Sequence, residues 1–291
     1  MKKSILKGLR LACLSFCAIA FTACDALLGF IAIPGSASDY EWTVFGGFAT
    51  IVKYKGDEAN LEIPNEFDGY PLVAIASQAF SRNTAIERVV VPEGVTTIYD
   101  SAFGACTALE EVVLPDSLNV MEMAVFSGCE NLKTVNIPEG IVELKAATFN
   151  GCALTSIAFP STLVKIGPYA FTTCDFESLF LPKSVVEIQP SAFGSCKNLK
   201  SVVFESGSVC ATLRELAFCY CEGMESIVIP KSVSSIGKEA FVDCDKLTIY
   251  CEAETQPIGW EQGWNVENCP VEWGYKKDKN KPPSECLAVY R

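Results

Sequence analysis

The chain has 291 residues, of which 49% are hydrophobic and 20% are charged, and it contains no histidine. This composition is sufficient for a large core, and the missing histidine excludes Ser-His-Asp and Cys-His nucleophiles and histidine-ligated zinc. The formal net charge is −12, and such an acidic body repels phosphate, so no nucleic-acid partner is expected.

Residues 1–23 have the pattern of an export signal. Four basic residues and no acidic ones precede an apolar stretch over residues 11–21, which has secretory length. The next residues resemble a bacterial lipobox, in which Cys24 becomes the lipidated first residue of the mature protein, although Phe21 stands where leucine is usual. We therefore expect a lipoprotein signal peptide over 1–23, export to the cell envelope, and a lipid anchor on Cys24 that holds the protein at the membrane surface.

An alternative interpretation of the same region is an uncleaved anchor helix. Residues 11–33 are long enough to span a bilayer. Asp25 lies in the middle of this stretch, and a carboxylate at that depth is costly, which favours the lipoprotein interpretation.

A short tether and a β cap are predicted next. Residues 24–39 form the tether. Residues 40–70 alternate loosely from Trp42 to Tyr54, with a turn over 55–57, and this pattern predicts strands and a hairpin. Such a cap is needed because the open end of a repeat stack exposes core.

Over residues 71–251 one motif recurs every 22–25 residues: a small or apolar residue, a phenylalanine, two further residues and a cysteine. A period of this size predicts a solenoid, in which each coil buries its apolar face against its neighbours. Residues 112–114 alternate like a short strand that ends at Pro115, and residues 102–106 form a helical or turn-like corner. The predicted fold is mostly β, with about eight coils, a parallel sheet, short helical or turn corners and a cap at each end. The marker phenylalanines are Phe80, Phe103, Phe126, Phe149, Phe171, Phe193, Phe218 and Phe241.

Seven cysteines each stand three residues after a marker phenylalanine and so form one column. Coils in such a stack lie about 4.8 Å apart, but parallel side chains in a column fit disulfide geometry badly and do not converge on a metal. We expect buried, reduced packing residues, with no metal, cofactor or catalytic site. Off the column, disulfides between Cys210 and Cys219, beside an expected bulge, and between Cys251 and Cys269 are left open. The column cysteines are Cys106, Cys129, Cys152, Cys174, Cys196, Cys221 and Cys244.

The chain ends in a cap and a tail. Residues 252–275 contain three tryptophans, which we interpret as a C-terminal cap without repeat spacing. Cys251 and Cys269 would come close if residues 271–273 paired as a last strand beside 249–251. Residues 276–291 begin with a lysine-rich run and are expected to form a mobile tail.

One residue of each strand faces outward between two inward apolar positions, and these residues form a candidate protein-binding face. A contiguous exposed apolar strip often marks such a face, although β-branched residues also favour strands for their own sake. A second outward row is rich in hydroxyl groups. The candidate face comprises Val90, Val113, Asn136, Ala158, Phe180, Val203, Val228 and Tyr250.

The repeat, read as Leu-x-x-Val-x-Ile-Pro-x-x-Val-x-x-Ile-x-x-x-Ala-Phe-x-x-Cys, resembles the BspA-type leucine-rich repeats of bacterial surface proteins over about residues 71–251. The resemblance implies a leucine-rich-repeat solenoid, and an exported protein that binds host matrix proteins such as fibronectin or fibrinogen, or another bacterial surface protein. Two alternatives are a spacer of the cell envelope without a specific partner and a carbohydrate-binding module. An enzyme is not expected.

Overall fold

The computed structural model describes residues 33–36 and 39–276. The signal peptide, Cys24 and residues 277–291 lie outside the described residues, as does nearly all of the alternative anchor segment. Within the described part of the chain there is no helix long and apolar enough to cross a membrane; strands and turns make up the fold. The strands are β1 Ile33–Ser36, β2 Tyr40–Phe45, β3 Phe48–Tyr54, β4 Asn60–Glu62, β5 Glu66–Phe67, β6 Tyr70–Ile75, β7 Arg88–Val90, β8 Thr97–Ile98, β9 Glu111–Val113, β10 Val120–Met121, β11 Thr134–Val135, β12 Glu143–Leu144, β13 Lys165–Ile166, β14 Ser178–Leu181, β15 Glu187–Ile188, β16 Ser201–Phe204, β17 Thr212–Leu213, β18 Ser226–Ile229, β19 Ser235–Ile236, β20 Thr248–Cys251 and β21 Val271–Trp273.

Each coil contributes one strand to each of two sides of a solenoid. On the first side, which we call the main sheet, the order is β4-β7-β9-β11 and then β14-β16-β18-β20-β21. On the second side, the second sheet, the order is β1-β2-β3-β6-β8-β10 and then β12-β13-β15-β17-β19. Pairing between successive coils is parallel, as for β7 with β9 and β18 with β20. The predicted mostly-β solenoid with parallel sheets is confirmed.

The two ends of the stack are closed differently. At the N-terminal end, β2 and β3 form an antiparallel hairpin that turns at Gly46 and Gly47, both with positive φ, while residues 55–59 connect β3 to β4. At the C-terminal end, β21 pairs in parallel with β20, so residues 271–273 do form a last strand beside 249–251.

The marker phenylalanines form one continuous column in the core. All eight rings are at most 1% exposed, and successive ring centroids lie 4.7–5.9 Å apart. Tyr54 extends the column at one end, 5.1 Å from Phe80. Trp264 extends it at the other, 6.2 Å from Phe241. Trp264 follows Phe241 by 23 residues, so this tryptophan does keep the repeat interval and the column has ten members.

The corner around each marker phenylalanine is a pair of turns. The residues two before and two after each marker have a left-handed backbone; Gln78 and Arg82 flank Phe80 in this way. Most of these residues are not glycine, and they include the β-branched Thr173 at φ 62° and Leu216 at φ 59°. A left-handed residue interrupts helical geometry, which is why the corner is a turn.

The aromatic column carries much of the stability. Phe149 is fully buried, with ring neighbours at 5.5 Å and 5.4 Å. We expect Phe149→Ala to lower the free energy of unfolding by roughly 3–5 kcal/mol, because it removes apolar contacts and leaves a cavity. The loss should fray neighbouring coils together, since each coil is stabilised by the next. Urea unfolding followed by circular dichroism measures this, and an unchanged midpoint would contradict the central role of the column.

Candidate functional site

The C-terminal half of the main sheet aligns four residues of the predicted binding face. Phe180 lies opposite Val203 across β14 and β16, and Val228 lies opposite Tyr250 across β18 and β20. We call these four residues the outer strip. Phe180, Val203 and Tyr250 are half-buried, while Val228 is only 8% exposed. Val228 is therefore more covered than the sequence suggests.

The N-terminal half of the main sheet is different. Val90 and Val113 are adjacent on β7 and β9 and half-buried. Asn136 lies beyond the end of β11, where its side-chain amide donates to the carbonyl of Leu114 and its amide oxygen accepts from the N–H of Leu114, both at 2.8 Å. Asn136 thus takes the place of a backbone strand partner, and both of its polar atoms are engaged.

Ala158 does not belong to a strand, and the main sheet is interrupted there. Residues 156–159 carry no strand between β11 and β14. This coil has one residue between Cys152 and Leu154, where the preceding coil has two between the corresponding cysteine and leucine. The next coil has the same short spacing, with Asp175 alone between Cys174 and Phe176, and it does form β14. The predicted face is therefore two segments, of which only the outer strip is a continuous row on four strands.

The hydroxyl-rich row beside the outer strip is also set in register. Ser178, Ser201, Ser226 and Thr248 are paired across β14, β16, β18 and β20. Ser201 and Ser226 are 6% and 8% exposed. In the N-terminal half the same row is charged, with an ion pair from Arg88 Nε to Glu111 Oε2 at 3.1 Å. The surface around the outer strip is thus apolar and hydroxyl-lined without formal charge.

Carboxylates stand at the edge of this surface. Glu205 accepts a hydrogen bond from the backbone N–H of Lys183 at 2.9 Å, and Glu252 accepts one from that of Lys231 at 3.0 Å. On the opposite edge, Glu225 is exposed. These acidic groups give the border a polar rim around an apolar centre.

The last described residues return to the outer strip. Gly274, at φ 67°, donates its N–H to the carbonyl of Ala253, and Tyr275 donates to that of Cys251, both at 2.8 Å. The ring of Tyr275 lies 5.0 Å from the ring of Tyr250. Tyr275 therefore lies beside the Tyr250 end of the outer strip.

The second sheet carries an apolar row that the sequence analysis missed. Val142, Val164 and Val186 are 53%, 44% and 38% exposed. Backbone hydrogen bonds of 2.8 Å link each to the next. We call this row the valine ladder. Its signal in the sequence was valine recurring one position before the outward charged residues of β12, β13 and β15.

The cysteine column is built by hydrogen bonds to the coil before it. Each column thiol donates a hydrogen bond to the carbonyl of the marker phenylalanine in the preceding coil, as Cys106 does to Phe80 at 3.2 Å. The seven bonds, of which the last joins Cys244 to Phe218, measure 3.1–3.3 Å. Cys269 donates to the carbonyl of Cys244 at 3.6 Å and so extends the column. A thiol is small enough to be buried there and still satisfies a carbonyl, which explains the residue type.

All eleven cysteines in the described part of the chain are free thiols, including the four for which disulfides were left open. No group of three or more candidate metal ligands occurs among these residues. Burial raises the pKa of Cys152 to about 12 and that of Cys196 to about 12. These thiols are therefore neutral and unreactive near neutral pH.

Comparison with known proteins gives consistent matches. The profile described as BspA type Leucine rich repeat region matches residues 53–174 and 122–248 in six copies. The leucine-rich repeat protein of T. pallidum is 26% identical, with 74% of this chain and 91% of that chain covered at a TM-score of 0.54. One from Bacteroides ovatus is 20% identical, with 86% and 71% covered at a TM-score of 0.47. No curated protein matched this sequence.

The buried thiols of Cys152 and Cys196 should make stability sensitive to alkaline pH. Their folded pKa exceeds the unfolded value, so their contribution is present below about pH 9 and is lost as pH rises towards 12. Above about pH 9 the unfolded chain loses the Cys152 proton that the folded chain keeps, so the free energy of unfolding falls as pH rises. Cys152→Ala removes this difference and should make that fall less steep by up to about 1.4 kcal/mol per pH unit between pH 10 and 11. Urea titrations of parent and variant across this range measure it. Parallel slopes would mean that Cys152 ionises while folded.

Proposed function

Because the chain belongs to the family of BspA-type leucine-rich repeat proteins, we propose that it is a binding scaffold of the bacterial cell surface that holds another protein against the outer strip. The fold and the family are those of repeat scaffolds. Stacked repeats present an extended face on which partners dock, so the proposal assigns the protein a binding role and no catalytic one.

The observation that carries this proposal is the composition of the outer strip. Two aromatic residues, Phe180 and Tyr250, flank two valines on four paired strands. Charged groups such as Glu205 and Glu252 are confined to the edge. An apolar centre with aromatic anchors and a polar rim is the arrangement common to protein–protein contact sites.

The partner class follows from the same surface. A glycan site would be expected to offer several coplanar aromatic rings, and the Tyr250 and Tyr275 rings are tilted by 57°. A protein is therefore favoured over a carbohydrate, and we propose a host matrix protein or another bacterial surface protein. A spacer without a partner is the competing function, and it requires no anchor on the strip.

We also propose export and lipid anchoring. The basic and apolar pattern of residues 1–23 and the lipobox-like residues before Cys24 support it. A lipid on Cys24 would hold the solenoid at the membrane surface through the segment 24–39.

Phe180 should be an anchor for the partner. Its side chain is half-buried on the outer face of β14. Phe180→Ala should weaken binding by about 2 kcal/mol or more, about thirtyfold in Kd, as the loss of an aromatic anchor does. The measurement is a pull-down from serum and matrix extracts, followed by titration of the captured protein with each variant.

Two controls accompany this test. Val142→Ala truncates an exposed residue of the valine ladder on the second sheet and should leave affinity unchanged. Thermal melting should show both variants folded, in contrast to Phe149→Ala. A folded Phe180→Ala variant that binds like the parent would favour the spacer function.

Anchoring is tested separately. Cys24→Ala should abolish incorporation of labelled fatty acid and leave a precursor that retains residues 1–23, because the cysteine is both the acylated residue and the processing site. Metabolic labelling and intact mass measure the two effects. A variant that is processed and sorted like the parent would disprove the lipoprotein assignment.

A further inference from the structure

We propose that the solenoid bends at a hinge between β10 and β14, about the corner of the marker phenylalanines, and that an ion pair between Lys145 and Glu122 latches this hinge. The starting observation is that both sheets are interrupted in neighbouring coils. The second sheet stops at β10 and resumes at β12, and the main sheet stops at β11 and resumes at β14. The interruptions divide the coils into an N-terminal half and a C-terminal half, and the outer strip lies wholly in the C-terminal half.

Backbone hydrogen bonds between coils are missing at these interruptions. On the second sheet, Asn119 donates its N–H to the carbonyl of Thr96 at 3.0 Å, and Val164 donates to that of Val142 at 2.8 Å. Within the described residues no corresponding bond joins Val142 to Asn119. On the main sheet, residues 153–159 take part in no backbone hydrogen bond with any other described residue. Local opening costs least free energy where such contacts are few, so this is where the stack is most easily deformed.

The corner, by contrast, is continuous through the same coils. Phe126 donates its N–H to the carbonyl of Thr148 at 2.9 Å, and Phe149 donates to that of Ala170 at 2.8 Å. The ring of Phe149 stays stacked on both of its neighbours, at 5.5 Å and 5.4 Å. Two halves that are joined along one side and unjoined along two others rotate about the joined side, which is the geometry of a hinge.

A side chain completes the hydrogen bonding at the edge of the main-sheet interruption. The amide of Asn136 accepts from the N–H of Leu114 and donates to its carbonyl, both at 2.8 Å. These backbone groups are satisfied without a further strand, so bending here leaves neither of them unpaired. Leu154 and Leu163 are fully buried in the same region. The motion is therefore bending, because complete separation of the halves would expose apolar core to water.

Lys145 and Glu122 bridge the second-sheet interruption. Nζ of Lys145 lies 2.5 Å from Oε2 of Glu122, and in the described part of the chain no backbone hydrogen bond joins Lys145 to the preceding coil. Lys165 and Glu143 form a similar pair at 3.0 Å, but across β12 and β13, which are also paired through their backbones. Only the Lys145 pair therefore holds together coils that the backbone leaves apart, which is what a latch requires.

This inference goes beyond the proposed function, because it concerns how the outer strip is oriented relative to the N-terminal cap and holds for any partner. The competing arrangement is a rigid rod, in which the continuous core fixes the two halves. A hinge predicts that distances across the interruption vary while distances along the corner do not, and a rigid rod predicts that neither varies.

The test is double electron–electron resonance on the full chain, with nitroxides attached to a genetically encoded ketone amino acid so that the thiols stay unmodified. Labels at Asn119 and Ala211 span the second-sheet interruption. Labels at Val142 and Ser234 span the same number of coils within the C-terminal half, four steps or roughly 19 Å. We expect the distance distribution of the first pair to be about twice as broad as that of the second. Equal widths would overturn the proposal.

A third pair of labels tests the axis of the hinge. Met123 and Glu215 are exposed and lie four coils apart along the corner, where the backbone bonds continue from coil to coil. Their distribution should be as narrow as that of the pair within the C-terminal half. A corner distribution as broad as the one across the interruption would mean that the halves do not turn about the corner, and the hinge would be disproved.

Matched variants test the latch. Lys145→Gln removes the ion pair across the interruption and should broaden the distribution between labels at Asn119 and Ala211 by about a further half, since a weak surface pair restrains it. Lys165→Gln removes the similar pair between backbone-paired strands and should leave the width unchanged, with circular dichroism showing both variants folded. Equal effects of the two variants would overturn the latch. Because no external partner is used, these results are independent of the Phe180→Ala binding measurement.

Discussion

The spacing between coils, set by backbone hydrogen bonds, governs the rest of the structure. Each marker phenylalanine up to Phe218 donates its N–H to the carbonyl of the residue before the next marker, at 2.8–3.0 Å. A residue at one position of a coil is thereby held over the same position of the next. The stacked rings and the thiol-to-carbonyl bonds follow from this repetition, since each site meets the same neighbours. One substitution, such as that of Phe149, therefore affects a column and not a single contact.

The same backbone hydrogen bonds between coils stabilise a backbone conformation that is unfavourable for the residues that adopt it. Thr173 and Leu216 adopt left-handed φ, which is unfavourable for β-branched and bulky residues. They keep it because hydrogen bonds on both sides fix the corner: Leu216 donates to the carbonyl of Lys238, and Thr173 to that of Gly194. No sequence rule identifies these positions, since they hold alanine, serine, threonine and tyrosine as readily as glycine. The sequence therefore predicts only a helical or turn-like corner, and the structure shows that the corner is a pair of turns.

How much the sequence predicts depends on whether a property repeats. The phenylalanine and cysteine intervals recur and predicted the solenoid and its buried columns. The sequence did not predict two single events: the main sheet has no strand at Ala158, and Asn136 turns its amide onto the backbone of Leu114. Trp264 keeps the interval but not the residue type, so its place in the aromatic column was missed. A prediction made from the pattern that all coils share does not identify the single coil that departs from that pattern.

The uncharged character of the outer strip is not explained by strand propensity alone. The second sheet of the same solenoid carries charges of alternating sign at the outward strand positions of Glu143, Lys165 and Glu187, and Lys165 pairs with Glu143 at 3.0 Å. Beyond the end of β17, Arg214 pairs with Glu187 at 2.6 Å. Alternation is required because like charges one coil apart would repel. The main sheet of this acidic protein could have carried charges of alternating sign in the same way. Its C-terminal half instead holds aromatic, valine and hydroxyl side chains, which cost less to desolvate when another surface covers them.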